Sequence, residues 1–213
     1  MSALTFNFLD EDLTLLPEKA IYWSSKKILL IADVHLGKSS HFRKNGIAIP
    51  AASAKTDLDR LSILFQKVNP KKVIFLGDLF HSTHNQEWNS FENLLEQFLE
   101  IDFTLILGNH DILEERHYKE SRLNVSNKLN ITPFSLTHEP SEKKEKQYNL
   151  AGHIHPGVKL KGKGKLGIQI PCFYFGKHGG ILPAFGNLTG LYSLKPKKTD
   201  FFFGIVGDLV VKL

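Results

Sequence analysis

Ten histidines stand in this 213-residue chain, half of them in short strings with aspartate, asparagine, glutamate and glycine. The strings are Asp33-Val34-His35, Gly77-Asp78, Gly108-Asn109-His110-Asp111, Thr137-His138-Glu139 and Gly152-His153-Ile154-His155. Carboxylate oxygen, amide oxygen and imidazole nitrogen are donors for Mn, Fe or Zn. On an extended backbone, residues two apart face the same way. Asp33 with His35, and His153 with His155, are therefore each expected to aim at one ion. The lone cysteine, Cys172, leaves no clustered thiols for a structural zinc site and no internal disulfide. Composition alone would yield Asp-x-His roughly 0.5 times, Gly-His-x-His roughly 0.04 times and Gly-Asn-His-Asp roughly 0.002 times. The ordered set is therefore not the product of composition.

Donors this far apart in sequence need a scaffold that ends several elements at one place. Apolar runs over 28–32, 73–76 and 103–107 read as buried strands, each running directly into one of the first three strings. Between them, Leu58, Leu61, Leu64, Phe65 and Val68 recur at helical steps, which predicts a helix over 50–68. Trp88, Phe91, Leu94, Leu95 and Phe98 do the same, predicting a helix over 87–100 with a core face. Strand alternating with helix implies parallel strands and crossover helices. In such sheets ligands bind beyond the carboxyl ends of the strands, which gathers Asp33, Asp78 and Asn109 at one edge.

The flanking stretches read differently. Residues 4–23 predict short strands broken near Asp10-Glu11-Asp12 and Pro17-Glu18. After about residue 120, short runs over 134–137, 148–151, 168–175, 201–206 and 209–212 are separated by Gly, Pro and Lys. They predict a second, more antiparallel sheet packed face to face with the first, helices outside. Phe173 and Phe175, alternating with Tyr174, are expected to face the interface between sheets. Residues 142–147 read as a charged, solvated loop, and Lys159, Lys161, Lys163 and Lys165 as a basic hairpin or loop.

Composition bounds the remaining possibilities. At 42% hydrophobic and 23% charged residues, the chain fits one domain over 1–213 and excludes disorder and coiled coil. No apolar run approaches the roughly 20 residues of a membrane span. The single cysteine fits a reducing cytoplasm. Cys172 lies in an apolar segment, where packing is the expected role. The charge excess of +5 is compatible with an anionic partner.

In their order and content, the five strings resemble the calcineurin-like metallophosphoesterase superfamily. A narrower resemblance rests on Leu30 through Lys38 around Asp33-Val34-His35, on His41-Phe42-Arg43-Lys44-Asn45-Gly46 and on Gly152 through Gly157. Pro171-Cys172-Phe173 and Pro183-Ala184-Phe185-Gly186 add to it. These are similar to the bacterial ligase-associated DNA damage response endonucleases. Gly77-Asp78-Leu79-Phe80-His81 also resembles the double-strand-break repair nucleases, where a histidine follows the bridging aspartate by three residues.

The resemblance implies a four-layer α/β/β/α sandwich and two divalent metal ions, foremost Mn, with Fe or Zn as alternatives. It gives Asp33, His35 and His155 to one ion, Asn109, His138 and His153 to the other, and Asp78 to both. His110 would contact the scissile phosphate and protonate the leaving oxygen, with Asp111 orienting it. His81, His41, Arg43 and Lys44 would contact phosphates, whereas His84, His117 and His178 read as ordinary loop or surface histidines. The implied activity is phosphodiester hydrolysis by a hydroxide activated between two metals. The implied substrate is DNA, single-stranded or flexible, in repair. The implied associations are with an ATP-dependent DNA ligase and a helicase-related protein. Two rivals remain open: a small-molecule nucleotide phosphodiesterase or phosphomonoesterase of the same superfamily, and a non-catalytic scaffold on the same fold.

Overall fold

The computed structural model describes residues 2–38, 52–81, 84–141, 146–161, 167–195 and 197–213. Leu4–Phe8 (β1), Glu11–Leu16 (β2), Ala20–Trp23 (β3) and Ile28–Ile31 (β4) form an antiparallel meander. Its reversals run through left-handed residues, Leu9 and Asp10 at the first, Lys19 at the second and Lys27 at the third. Glu11 and Asp12, expected at a break, belong to β2, where Glu11 accepts a hydrogen bond from the Trp23 indole at 2.7 Å.

From β4 the sheet becomes parallel. Lys72–Leu76 (β5), Asp102–Ile106 (β6) and Leu123–Ser126 (β7) follow it in order. Helices Ala52–Val68 (α1), Gln86–Glu96 (α2) and Glu115–Glu120 (α3) make the crossovers. Asn85 caps α2 by accepting from the Glu87 amide at 2.8 Å. The helix ends at Glu96, short of the expected residue 100. The Gln97 and Phe98 amides tighten onto Leu94 and Leu95 carbonyls, and the Arg122 guanidinium collects the carbonyls of Leu95, Phe98, Leu99 and Ile101.

Alternation along β4, β5 and β6 separates two cores. Leu29, Ile31, Val73, Phe75, Phe103 and Leu105 pack against Leu61, Leu64 and Phe65 of α1 and Trp88, Phe91 and Leu95 of α2. Leu30, Ile74, Leu76 and Ile106 point the other way, onto Phe134, Leu136, Leu150, Phe173, Phe175 and Phe203 of the second sheet. As expected, two sheets lie face to face, with helices on the outside of the first.

The second sheet contains Leu129–Ile131 (β8), Phe134–Leu136 (β9), Tyr148–Ala151 (β10), Pro156–Lys161 (β11), Gly167–Phe175 (β12) and Gly179–Ile181 (β13). Tyr192–Ser193 (β14), Phe201–Val206 (β15) and Leu209–Lys212 (β16) complete it. The order is β14-β11-β12-β13-β10-β9-β8, with β15 on β12 and β16 on β15. Phe173 and Phe175 face the inter-sheet core, as the alternation predicts, while Ile170, Cys172 and Tyr174 turn outward onto Val158 and Phe202. Burial pushes the Cys172 thiol up to about 12, so it is a packing residue. The sheet is less antiparallel than expected: β10 runs parallel to both β9 and β13. That pairing ends β9 and β10 at the same edge, beside each other, where His138 and the string 152–155 begin.

Candidate metal centre

Each ligand string starts where a strand stops. Asp33 and His35 follow β4, Asp78 follows β5, Asn109 to Asp111 follow β6, His138 follows β9, and His153 and His155 follow β10. The expected extended backbone is not how the pairs are aimed. Asp33 (φ 53°), His35 (52°), Asp78 (50°), His153 (68°) and His155 (52°) all adopt the left-handed region. Such residues cost about 1–3 kcal/mol each and persist where their surroundings over-determine them. Here the Asp33 amide donates to Gly77 O (3.2 Å), His35 to Asp78 O (2.9 Å) and Leu36 to Leu79 O (2.9 Å), locking the first two loops together. The His153 amide donates to both carboxylate oxygens of Asp33, at 3.0 and 2.9 Å, which ties the second sheet to the first.

Two groups result. In Asp33, His35 and His155, one donor atom of each lies within 4.8 Å of the others, and the same holds for Asp78, His138 and His153. His35 Nε2 is 3.3 Å from His155 Nε2, and His155 Nε2 is 3.6 Å from Asp33 Oδ1. His138 Nε2 is 3.1 Å from both His153 Nδ1 and the Asn109 amide oxygen. Asp78 stands between the groups. Its Oδ2 is 3.7 Å from His35 Nε2 and its Oδ1 is 3.4 Å from His138 Nε2.

The donor chemistry fits a divalent cation. His138 Nδ1 lies 2.9 Å from the Leu76 carbonyl, which can only accept, so Nδ1 carries a proton and, in the neutral ring that a metal requires, Nε2 presents its lone pair. That lone pair converges with the oxygens of Asn109 and Asp78, an arrangement that repels itself until a cation sits among the donors. Burial above all, then the charge of Lys38 and the neighbouring His155, His81 and His110, pushes His35 down to about 2, leaving it the neutral imidazole a metal needs. Asp33 and Asp78 are buried, at 0% and 2% exposure. A Cβ on Gly108 would fall 2.3 Å from Asp78 Oδ1, and one on Gly77 (φ 78°) 2.2 Å from His138 Nδ1. Both positions require glycine so that the donors can lie against the backbone.

The remaining expected residues divide. His81 and His110 come together, ring centroids 4.0 Å apart, beside His35. The His110 amide donates to Asp78 Oδ1 at 2.9 Å. Asp111 is a correction. Its Oδ1 accepts from the Phe80 amide and its Oδ2 from the Gly108 amide, both at 2.9 Å, and among the described residues it makes no hydrogen bond to His110. The chain doubles back here, Asp111 N donating to Gly108 O, so the carboxylate turns beneath the loop and staples the ends of β5 and β6. Burial pushes Asp111 up to about 7. His41, Arg43 and Lys44 lie outside the described residues. His84 and His117 stack on each other at 4.2 Å. Sequence reading missed Lys38, a cation close enough to feel Asp78 and Asp33. The only available signal was its place three residues after His35.

The model of the calcineurin-like phosphoesterase family matches residues 26–202. Among solved structures, the fold is similar to the crystal structure of Pseudomonas putida nuclease MPE, with a TM-score of 0.79 and 27% identity over 100% of both chains. No curated protein matches the chain at a significant level. The chain belongs to the calcineurin-like phosphoesterase family and is a metal-dependent phosphoesterase.

Proposed function

We propose that this phosphoesterase is a nuclease, a Mn-dependent DNA endonuclease acting in repair on single-stranded or flexible regions. One observation carries the reading. Asp78 turns one oxygen to each of two donor groups, in a chain similar from end to end to a nuclease. Asp33, His35 and His155 would hold one ion, Asn109, His138 and His153 the second, and Asp78 both. When bound, the two cations supply Lewis-acid charge that draws phosphoryl oxygens and lowers the pKa of water. His110, whose ring sits beyond the donors beside His81, contacts the scissile phosphate and gives its proton to the leaving oxygen as the P–O bond breaks. His81, with His41, Arg43 and Lys44, holds the flanking phosphates. The excess of five positive charges favours a polyanion. Cys172 as the lone cysteine supports a cytoplasmic setting. The narrower sequence resemblance is the support for association with an ATP-dependent ligase and a helicase-related protein.

The test is incubation with Mn²⁺ and circular single-stranded DNA, alongside mononucleotides and a phosphomonoester. Opening of the circle, abolished by chelator, is the expected result. Turnover confined to mononucleotides or monoesters would make it a small-molecule enzyme. No turnover of any substrate after manganese reconstitution would make it a scaffold.

A further inference from the structure

Pro183-Ala184-Phe185-Gly186 takes no part in either donor group, yet it lies against one of them. Ala184 pairs with Ala32 in a parallel bridge. The Phe185 amide donates to Ala32 O at 2.8 Å and the Gly186 amide to Asp33 O at 3.1 Å. The segment is therefore a strap along the free side of the loop that carries Asp33, whose other side is bonded to Gly77 and Asp78. It is pressed close: a Cβ on Gly186 would fall 2.4 Å from Val34 O. Because Asp33 and His35 hold left-handed backbones, something must fix them from both sides.

The strap is itself held from α1, more than a hundred residues earlier. Arg60 Nη1 donates to Phe185 O at 2.8 Å and to Asp57 Oδ1 at 2.7 Å, and its guanidinium lies 4.0 Å over the buried Phe185 ring. Asp57 receives the Asn187 side-chain amide at 2.7 Å and its backbone amide at 3.3 Å. Arg60 also reaches Asn187 Oδ1 at 3.3 Å and Glu18 O at 3.4 Å. Asp57 is buried, at 6% exposure, so its charge is enclosed with these partners.

We infer that Asp57 and Arg60 are positioning residues for the first donor group: through the strap 184–187 they set the place of Asp33 and hence the affinity of that group for its ion. The inference rests on reading Asp33, His35 and His155 as a metal site. It assigns the clamp first to this group, because among the described residues the strap 184–187 makes backbone hydrogen bonds to the Asp33 loop and none to the loops carrying Asn109, His138 or His153.

The experiment is manganese titration of the full chain by calorimetry, with electron paramagnetic resonance to separate a spin-coupled pair from a lone ion. Arg60→Met and Asn187→Ala are expected to bind one Mn²⁺ as the wild type does and the other about 10-fold or more weakly. An uncoupled six-line signal should appear at manganese levels that couple the wild-type pair. Arg122→Met serves as the control, since Arg122 donates to four oxygens at the end of α2, as Arg60 does to four around the strap. It should lower stability and leave both affinities unchanged. If Arg60→Met does not fold, Asn187→Ala, which keeps the Arg60–Asp57 pair, decides alone. Two wild-type affinities in Asn187→Ala would overturn the inference. A wild-type protein that takes up no manganese would overturn the metal reading itself, and this inference with it.

Discussion

At Asp78 a single side chain answers to both donor groups, one oxygen toward His35 and the other toward His138. Asp78→Ala is therefore expected to weaken both ions together and to abolish phosphoesterase activity. Metal analysis showing two ions at full occupancy in the variant would remove the bridge from the mechanism. His110 stands outside the donor groups, its ring beside His35 and its backbone amide on Asp78, a bond that alanine at this position keeps. His110→Ala should keep both ions and slow turnover by about 10²-fold or more. Rates equal to wild type would show that the ring takes no part. At this scale the donors were legible, because imidazole, carboxylate and amide in short ordered strings are chemically rare. Asp111 was not. Its type and place beside His110 suit an orienting carboxylate, but the direction of its side chain is set by a backbone reversal that residue types do not encode.

The element that matters most is the loop at a strand end, and Asp111 joins two of them. Removing it leaves the Phe80 and Gly108 amides without an acceptor. Asp111→Ala should cost roughly 2–6 kcal/mol, from two part-buried donors at about 1–3 each, and should lower activity because these amides flank Asp78 and Asn109. Urea denaturation tests the first part: a midpoint unchanged from wild type would mean the loops hold without the staple. The strands β4, β5 and β6 and the core faces of α1 and α2 were readable from apolar runs and helical spacing. The parallel pairing of β9 with β10 was not, because alternation along a strand fixes which face is buried and leaves open which neighbour it takes. The left-handed donors were equally hidden, since five non-glycine residues in that region contradict local preference and are held there by the loops beside them.

Across the whole molecule, two buried aspartates and four histidines are concentrated where the sheets meet. An ion that binds only the folded form stabilises it by about 2.7 kcal/mol at 100 times its Kd. For a chain of this size that is a rise of about 5–10 °C in Tm per occupied site. Scanning calorimetry with Mn²⁺ and then with excess chelator should show the rise and its loss; a chelator-independent Tm would mean that the groups do not bind metal in the folded state. The two-sheet plan was legible from the change of pattern near residue 120, while the strap from the last quarter of the chain was visible only as a motif without a task. Each donor group takes members from both sheets: Asp33 and His35 from the first with His155 from the second, Asp78 from the first with His138 and His153 from the second. Neither half holds a whole donor group by itself. A complete set of donors therefore exists only after the second sheet has left the ribosome and docked, which places full metal loading at the close of folding rather than at its start.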